Sequence, residues 1–277
     1  MNRLQQALTA AKHRGDLAFV PFVVLGDPDL PTSLRLIEAL IDAGADALEL
    51  GLPFSDPPAD GPVVQAADLR ALAAGTTPPA AFELLDELKR RRDVPVSLLI
   101  YYNLVLQYGV ERFYARAAEA GVDAVLIADV PLEESAPTVA AARRHQVAPV
   151  CIASPLSSSE RLRALTEVAE GYFYTVARVG ITGEQGAVSG DLVHTLARLR
   201  AVTDLPALVG FGISTPAHVR AAAAAGADGV ICGSAIIRRI AEHLGDEAAM
   251  IDAVSRYARE MKAACSGSLP KTGERPC

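Results

Sequence analysis

Short apolar runs alternate with longer amphipathic stretches along almost the whole chain. Each run holds roughly four to eight residues, the length of a buried strand, and a Gly, Pro or Asp break follows it. We predict eight strands, at Ala18–Leu25, Ala47–Leu50, Val96–Tyr101, Ala124–Ala128, Ala148–Ala153, Phe173–Val176, Ala207–Gly210 and Gly229–Cys232.

The stretches between the runs are rich in Ala, Leu and Arg and have helical periodicity. An amphipathic helix is also predicted at the N-terminus, before the first strand, and another at the C-terminal end, from about 247 to 264. The remaining predicted helices are Leu30–Ala43, Pro62–Ala74, Pro78–Arg90, Val110–Ala120, Glu133–His145, Ser158–Ala169, Asp191–Ala201, Pro216–Ala225 and Ala235–His243.

One phrase, a helix end followed by Gly, a small residue and Asp, recurs at Gly44, Gly121 and Gly226. It indicates a repeated turn from helix to strand. Eight such units without a linker predict an α/β fold, the (β/α)8 TIM barrel, with an extra N-terminal helix. An open doubly wound sheet is the alternative, but no G-x-G-x-x-G follows the first strand. We predict one domain over residues 1–265 and a disordered tail over 266–277.

Composition narrows the function classes. The 277 residues are 51% apolar and carry a formal net charge of −7, which favours neither nucleic acid nor a membrane surface as partner. Every long apolar stretch is interrupted by a charged residue or proline. The four cysteines have no C-x-x-C spacing, so we expect reduced thiols and a cytoplasmic protein.

Two carboxylates stand out near the second predicted strand. Glu49 lies between Leu48 and Leu50, so it points to the face opposite theirs, which in a closed barrel is the interior. Asp60 ends the proline-rich loop that follows. Two acids in different environments are suited to acid–base catalysis. Alternatively, Glu49 is a buried structural residue tied to a neighbouring side chain, and Asp60 complements a helix dipole.

Glycine-rich turns after the seventh and eighth strands predict a phosphate site. Gly210–Thr215 and Gly233-Ser234 each precede a helix, and Gly183 in the sixth loop is able to add another N–H group. These loops are the usual phosphate position in this barrel. Ordinary tight turns and helix caps are the alternative.

Residue types that other mechanisms need are missing from the predicted strand ends. The four lysines and five histidines all lie in predicted helices, at helix ends or in the tail, which excludes a Schiff-base mechanism and disfavours a metal site. Carboxylate chemistry on a phosphorylated substrate remains. Tyr174 is predicted to point inward and is able to meet Glu49, while Phe22 and Ile100 are candidate pocket walls; core packing is the alternative for all three.

Several phrases of the sequence resemble the tryptophan synthase alpha subunit family, in order from residue 19 to about residue 240. The most specific is Glu49-Leu-Gly-Leu-Pro-Phe-Ser-Asp-Pro57. The other matching phrases begin at Phe19, Ala59, Asp129, Gly180, Gly210 and Gly233.

The resemblance implies aldol cleavage of indole-3-glycerol phosphate to indole and glyceraldehyde 3-phosphate. It implies that Glu49 protonates indole C3 and then takes the proton of the adjacent glycerol hydroxyl. Asp60 would accept the indole N–H, Tyr174 would orient Glu49, and Thr182 and Gly183 would close the sixth loop over the site. The remaining substrate- and phosphate-binding residues would be Phe211, Gly212, Gly233 and Ser234.

The family works with a beta subunit that carries pyridoxal phosphate, so the resemblance implies an α2β2 tetramer and no cofactor on this chain. Pro58, in the loop that faces the partner, and Val179, before the Gly-Ile-Thr-Gly phrase, depart from the family's usual residues. A free-standing lyase that releases indole therefore remains an alternative. A regulatory subunit that binds a phosphorylated ligand without catalysis is a third.

Overall fold

A computed structural model describes residues 2–176 and 190–269 of the chain, and nine parallel strands form its centre. The sheet order is β5-β4-β3-β2-β1-β9-β8-β7-β6. The strands are β1 Ala18–Val24, β2 Leu48–Gly51, β3 Val96–Ile100, β4 Ala124–Ile127, β5 Ala148–Pro149, β6 Cys151–Ala153, β7 Phe173–Val176, β8 Ala207–Gly210 and β9 Gly229–Cys232.

Helices follow the strands and surround the sheet. A 3-10 turn at Leu132–Glu134 precedes the seventh helix. The α-helices are α1 Arg3–His13, α2 Leu30–Asp42, α3 Pro62–Ala73, α4 Pro78–Arg91, α5 Tyr102–Tyr108, α6 Val110–Glu119, α7 Ala136–Arg144, α8 Ser159–Thr166, α9 Gly190–Arg200, α10 Pro216–Ala224, α11 Ser234–Glu242 and α12 Glu247–Cys265.

The sheet closes at Val150, between β5 and β6. β5 pairs with β4, and β6 pairs with β7, so the two ends of the sheet are halves of one predicted strand. The Val150 N–H still donates to the carbonyl of Val125 at 2.9 Å. The nine strands are thus the eight predicted strands with one interrupted, and the (β/α)8 barrel is confirmed.

Strand alternation separates two cores. In β1, Ala18, Val20 and Phe22 pack inside the barrel, whereas Phe19 and Val23 pack against the helices. The predicted N-terminal helix is present as α1. Its buried residues join the inner core, so α1 covers the end of the barrel where the strands begin.

The recurring helix–Gly–small–Asp phrase has a structural reason. Its three glycines adopt φ of 80° to 99° just after α2, α6 and α10, where a side chain would be strained. Each following aspartate accepts a backbone N–H at the start of a neighbouring strand. Asp46 bonds Phe19 at 2.8 Å, Asp123 bonds Val96 at 2.9 Å, and Asp228 bonds Ala207 at 2.8 Å. The phrase therefore fixes strand positions at the end of the barrel away from the strand carboxyl termini.

Some element bounds differ from the sequence prediction. Helix α5 was missed, because its seven residues follow β3 directly and carry no side-chain N-cap. Helix α7 begins at Ala136 rather than Glu133, since the 3-10 turn occupies the preceding residues. Residues 266–269, which the prediction assigns to the tail, contact the turn before β1, where the Leu269 N–H donates to the Gly15 carbonyl at 3.0 Å. The single domain over 1–265 stays a prediction.

Candidate active site

A cavity of about 250 Å³ opens at the carboxyl ends of the strands. Glu49 and Asp60 both line it, together with the turns after β8 and β9. A second cavity, of about 280 Å³, lies among β4–β6, α7 and α8 and has no carboxylate in its lining. We therefore assign the candidate site to the first cavity. Its other lining residues are Phe22, Val64, Leu99, Tyr174, Phe211, Gly212, Ile213, Ser214, Ile231, Gly233, Ser234, Ala235 and Arg238.

Glu49 is a buried acid, and only one of its two carboxyl oxygens has a hydrogen-bond partner among the described residues. It is 1% exposed on β2, where it pairs with Phe22 of β1 and Ser97 of β3. The Tyr172 hydroxyl donates to Glu49 Oε1 at 2.8 Å and lies 3.1 Å from the Ser97 hydroxyl. Glu49 Oε2 is buried and has no hydrogen-bond partner among the described residues. This oxygen is therefore the one left for a bound molecule.

Burial decides the charge of Glu49. Desolvation raises the pKa of this carboxyl to about 8, against the hydrogen bond from Tyr172, which lowers it. The nearby charge of Asp60 raises it further. A carboxyl with a pKa near 8 is largely protonated at neutral pH, so Glu49 is able to donate a proton there.

Asp60 reaches the cavity from the loop between β2 and α3. The Tyr101 hydroxyl, at the end of β3, donates to Asp60 Oδ2 at 2.7 Å. The Gln65 side chain donates to the Asp60 carbonyl at 2.7 Å and fixes the backbone. Partial burial raises the pKa of Asp60, and the hydrogen bond from Tyr101 opposes that shift. Asp60 is thus the more hydrated acid of the pair.

The opposite wall of the cavity offers backbone N–H groups. Helix α11 begins at Ser234 and has no side-chain cap, so its first N–H groups lack a capping partner. A Cβ added at Gly233 would lie 2.8 Å from the Phe22 ring, so glycine is needed there for close approach. Phe211 adopts φ 63° in the turn after β8, a strained conformation for a bulky residue that is typical of functional sites. An uncapped helix N-terminus beside glycine turns is suited to an anion such as phosphate.

Most of the predicted site residues lie together in this cavity. Thr182 and Gly183 lie outside the described residues. The predicted residues found in the lining are Glu49, Asp60, Tyr174, Phe22, Phe211, Gly212, Gly233 and Ser234.

The role assigned to Tyr174 requires a correction. The hydroxyl that contacts Glu49 belongs to Tyr172, whereas the Tyr174 ring packs edge-on against Phe211 with centroids 5.9 Å apart. A Cβ at Gly210 would lie 2.0 Å from the Tyr174 oxygen, so this hydroxyl lies over the end of β8. Both tyrosines share one strand face, but Tyr172 lies nearer the strand start, at the level of Ser97 and Glu49.

Ile100 is also corrected. It is fully buried in the core between the strands and the helices, and Leu99 lines the cavity instead. Glu49 pairs with Ser97 across β2 and β3, so Leu99, two residues on, shares its face. The prediction assigned Ile100 to the inward face of β3, whereas Leu99 occupies that face.

Sequence reasoning missed Tyr101, Tyr172 and Arg238. Arg238 lies in α11 four residues after Ser234, so both face the same side of the helix near the anion-binding turn. Because Ser234 was predicted to bind phosphate, the spacing of four residues could have identified Arg238 from the sequence. Tyr172 lies two residues before Tyr174 and shares its inward direction, so strand alternation was an available signal for it. No local signal marks Tyr101, because it reaches Asp60 through the fold of the intervening loop.

The described residues offer neither a metal-binding cluster nor a lysine at the cavity. Over residues 2–176 and 190–269, no cluster of three or more His, Cys, Asp or Glu side chains could hold a metal ion. The lysines of these ranges lie in α1, α4 and α12, and none lines the cavity. Within the same ranges, no helix has the length and apolar character needed to cross a bilayer.

The fold and cavity define a (β/α)8-barrel protein with two acids in a cavity at the carboxyl ends of its strands. Comparison with known proteins narrows this class. The family described as tryptophan synthase alpha chain matches residues 8–266. The chain belongs to the tryptophan synthase alpha chain family.

Individual relatives are similar over nearly their whole length. The tryptophan synthase alpha chain of Cronobacter sakazakii is 49% identical over 271 residues, covering 98% of this chain and 100% of that protein. That of Shewanella oneidensis is 50% identical over 264 residues, covering 95% of each. The solved alpha subunit from Legionella pneumophila str. Paris has a TM-score of 0.87 at 33% identity, covering 96% of this chain and 98% of that one.

Proposed function

We propose that the chain cleaves indole-3-glycerol phosphate to indole and glyceraldehyde 3-phosphate, with Glu49 as acid and base. Family membership makes it a lyase of tryptophan biosynthesis, the alpha subunit of tryptophan synthase. The observation that carries the residue assignment is the buried Glu49 carboxyl. One of its oxygens accepts a hydrogen bond from Tyr172, and the other is buried without a partner among the described residues.

Glu49 moves the proton at both stages of the cleavage. Its protonated carboxyl donates to C3 of the indole ring, which leaves the ring positively charged. The resulting carboxylate then takes the proton of the hydroxyl on the adjacent glycerol carbon. The electrons of the carbon–carbon bond return to the ring, indole leaves, and an aldehyde forms. The pKa of about 8 supports both directions near neutral pH.

Asp60 works as a carboxylate toward the indole nitrogen. It accepts the N–H hydrogen bond and stabilises the positive charge that develops after C3 is protonated. Tyr101 holds Asp60 Oδ2 at 2.7 Å, which leaves its second oxygen for the substrate. Tyr174 and Phe22 form cavity walls against the ring. Thr182 and Gly183 are proposed to act from the sixth loop as the resemblance implies.

The phosphate end of the substrate lies against the glycine turns. Gly212, Gly233 and Ser234 supply N–H groups, aided by the dipole of α11. Arg238 adds a positive charge at the same wall. This charge matters because the Asp60 carboxylate in the same cavity repels an anionic substrate.

The partner and cofactor complete the proposal. A solved relative is titled tryptophan synthase from M. tuberculosis, and a beta subunit is accordingly proposed as partner in an α2β2 tetramer. Pyridoxal phosphate is assigned to that partner, and this chain carries no cofactor of its own. A cytoplasmic location is proposed because Cys151, Cys232 and Cys265 are free thiols, as expected in a reducing compartment.

The experiment is an indole-release assay with Glu49→Gln. We expect the variant to lose indole formation while its affinity for glycerol phosphate changes less than about threefold, since Gln removes only the proton. Indole release within tenfold of wild type would refute the assignment of Glu49. The control is Glu242→Gln, an exposed position on α11, which should keep wild-type turnover.

A further inference from the structure

Another buried acid, Asp68, lies near Asp60 and has no part in the proposed chemistry. It is 4% exposed on α3. Its carboxylate accepts the backbone N–H of Phe54, in the loop that carries Asp60. Its Oδ2 atom is buried and has no hydrogen-bond partner among the described residues. Burying such a group is costly, so a compensating role is expected.

A continuous set of contacts leads from Asp68 to Asp60. The Phe54 ring stacks on the Tyr101 ring, with centroids 5.5 Å apart and planes 26° apart. The Tyr101 hydroxyl donates to Asp60 Oδ2 at 2.7 Å and accepts the backbone N–H of Ala59. Asp68 therefore holds the residue whose ring supports the hydrogen-bond donor of Asp60.

Most of the loop between Phe54 and Asp60 is exposed. Ser55, Asp56, Pro58 and Ala59 are exposed and Pro57 is buried, while side chains from outside the loop hold Phe54 and Asp60. One anchor is the carboxylate on α3, and the other is Tyr101 at the end of β3. Removal of either anchor frees one end of a loop whose position sets a reacting group, and misplacement by about 1 Å is able to cost on the order of 100-fold in rate.

We propose that Asp68 is a positioning residue for the cleavage reaction: by holding the Phe54 N–H it keeps the loop over residues 52–60 closed onto Tyr101, and so keeps Asp60 at the indole nitrogen. The inference rests on the proposed function, because Asp60 is given its role there. Asp68 does not touch the substrate.

The ionisation of Asp68 gives the pH profile of the reaction a feature that a purely structural residue would not give it. Asp68 faces Asp60 from the loop, Asp27 from the segment after β1, and Tyr101 from β3. Arg70, on the same helix, is bound bidentately to Asp27 at 2.8 Å. Burial and the charges of Asp60 and Asp27 raise the pKa of Asp68 to about 7. Below that pH it is neutral, and above it a second negative charge stands beside Asp60.

Two substitutions separate positioning from charge. Asp68→Asn keeps an oxygen acceptor for the Phe54 N–H but does not ionise. We expect kcat within about threefold of wild type at pH 8, and loss of the inflection near pH 7 that ionisation of Asp68 gives the wild-type kcat profile. Asp68→Ala removes the acceptor. For it we expect kcat to fall roughly 10- to 100-fold, more than KM rises, with faster hydrogen exchange at the Phe54 amide.

The matched control is Asp123→Asn. The Asp123 side chain is 11% exposed and also accepts a backbone N–H, from Val96 at the start of β3, but lies at the other end of the barrel. This control should keep the inflection near pH 7 and leave the Phe54 exchange rate unchanged. If Asp68→Ala does not fold, the pH profile of Asp68→Asn decides alone. An inflection near pH 7 that persists in Asp68→Asn, or unchanged Phe54 exchange in a folded Asp68→Ala, would overturn the inference.

Failure of the proposed function gives a different result. If the wild-type chain released no indole from its substrate, the assignment of Glu49 and Asp60 would fail, whatever the loop does. The exchange of the Phe54 amide needs no substrate, so it reports on the Asp68 anchor independently. Normal wild-type turnover combined with unchanged exchange in Asp68→Ala would refute only the role of Asp68.

Discussion

Replacing Glu49 by glutamine should stabilise the folded chain at neutral pH while it removes the acid. The folded-state pKa of this carboxyl is about 8 and its ordinary value is 4.5. Because the folded pKa is raised, the stability linked to this proton is fully present below pH 4.5 and is lost as the pH rises toward 8. Glutamine cannot ionise and keeps an oxygen acceptor for Tyr172, so it avoids that loss.

The size of the effect follows from the two pKa values. At pH 7 the unfolded carboxyl is ionised, whereas the folded one is still mostly protonated, which costs the wild-type protein about 3 kcal/mol relative to a group that does not titrate. The same relation gives about 1 kcal/mol at pH 5 and about 5 kcal/mol at pH 9. The stabilisation by Glu49→Gln should therefore grow with pH across this range.

Urea unfolding of wild type and variant at pH 5, 7 and 9 measures this directly, since the midpoint shift at constant slope reports the change in free energy of unfolding. Glu242→Gln is again the matched control, and its difference from wild type should not vary with pH in this way. A Glu49→Gln variant that is less stable than wild type at pH 9, or whose difference is constant from pH 5 to 9, would refute the reasoning.

Three further substitutions probe the neighbours of the two acids. Tyr172→Phe removes the hydrogen bond that lowers the pKa of Glu49, so the alkaline limb of the kcat profile should move to higher pH; a shift to lower pH would contradict this. Tyr101→Phe should lower kcat roughly tenfold in a steady-state assay, because Asp60 loses its fixed donor, and an unchanged kcat would deny that role. Arg238→Gln should raise both KM and the Ki of glycerol phosphate roughly tenfold, with kcat within twofold; unchanged values would remove it from the phosphate site.

Local sequence patterns were sufficient for the barrel and for the inward direction of Glu49. The period of two in each strand and the glycine-terminated helices depend on nearest neighbours along the chain, so they can be recognised without the fold. The same holds for the turns after β8 and β9. Their glycines indicate close backbone approach wherever the barrel brings them.

The errors occurred where an outcome depends on register between strands. Ile100 and Leu99 are both apolar, and only the pairing of Glu49 with Ser97 decides which of them faces inward. Tyr172 and Tyr174 share a face, so alternation cannot say which hydroxyl lies at the depth of Glu49.

Long-range contacts account for what was missed entirely. Tyr101 meets Asp60 across 41 positions of sequence, through a loop whose path is set by its anchors. Asp68 appears in sequence as an ordinary polar residue of a predicted helix, and its burial depends on what packs against that helix. Neither contact has a periodic signature.

The most direct test of the account is the protonation state of Glu49 in the folded chain, followed by isotope-edited infrared difference spectroscopy between wild type and Glu49→Gln. We expect the band of a protonated carboxyl at pH 7, replaced by carboxylate bands as the pH rises through about 8. A carboxylate signal already complete at pH 6 would contradict the claim that a buried, protonated Glu49 supplies the proton for carbon–carbon cleavage.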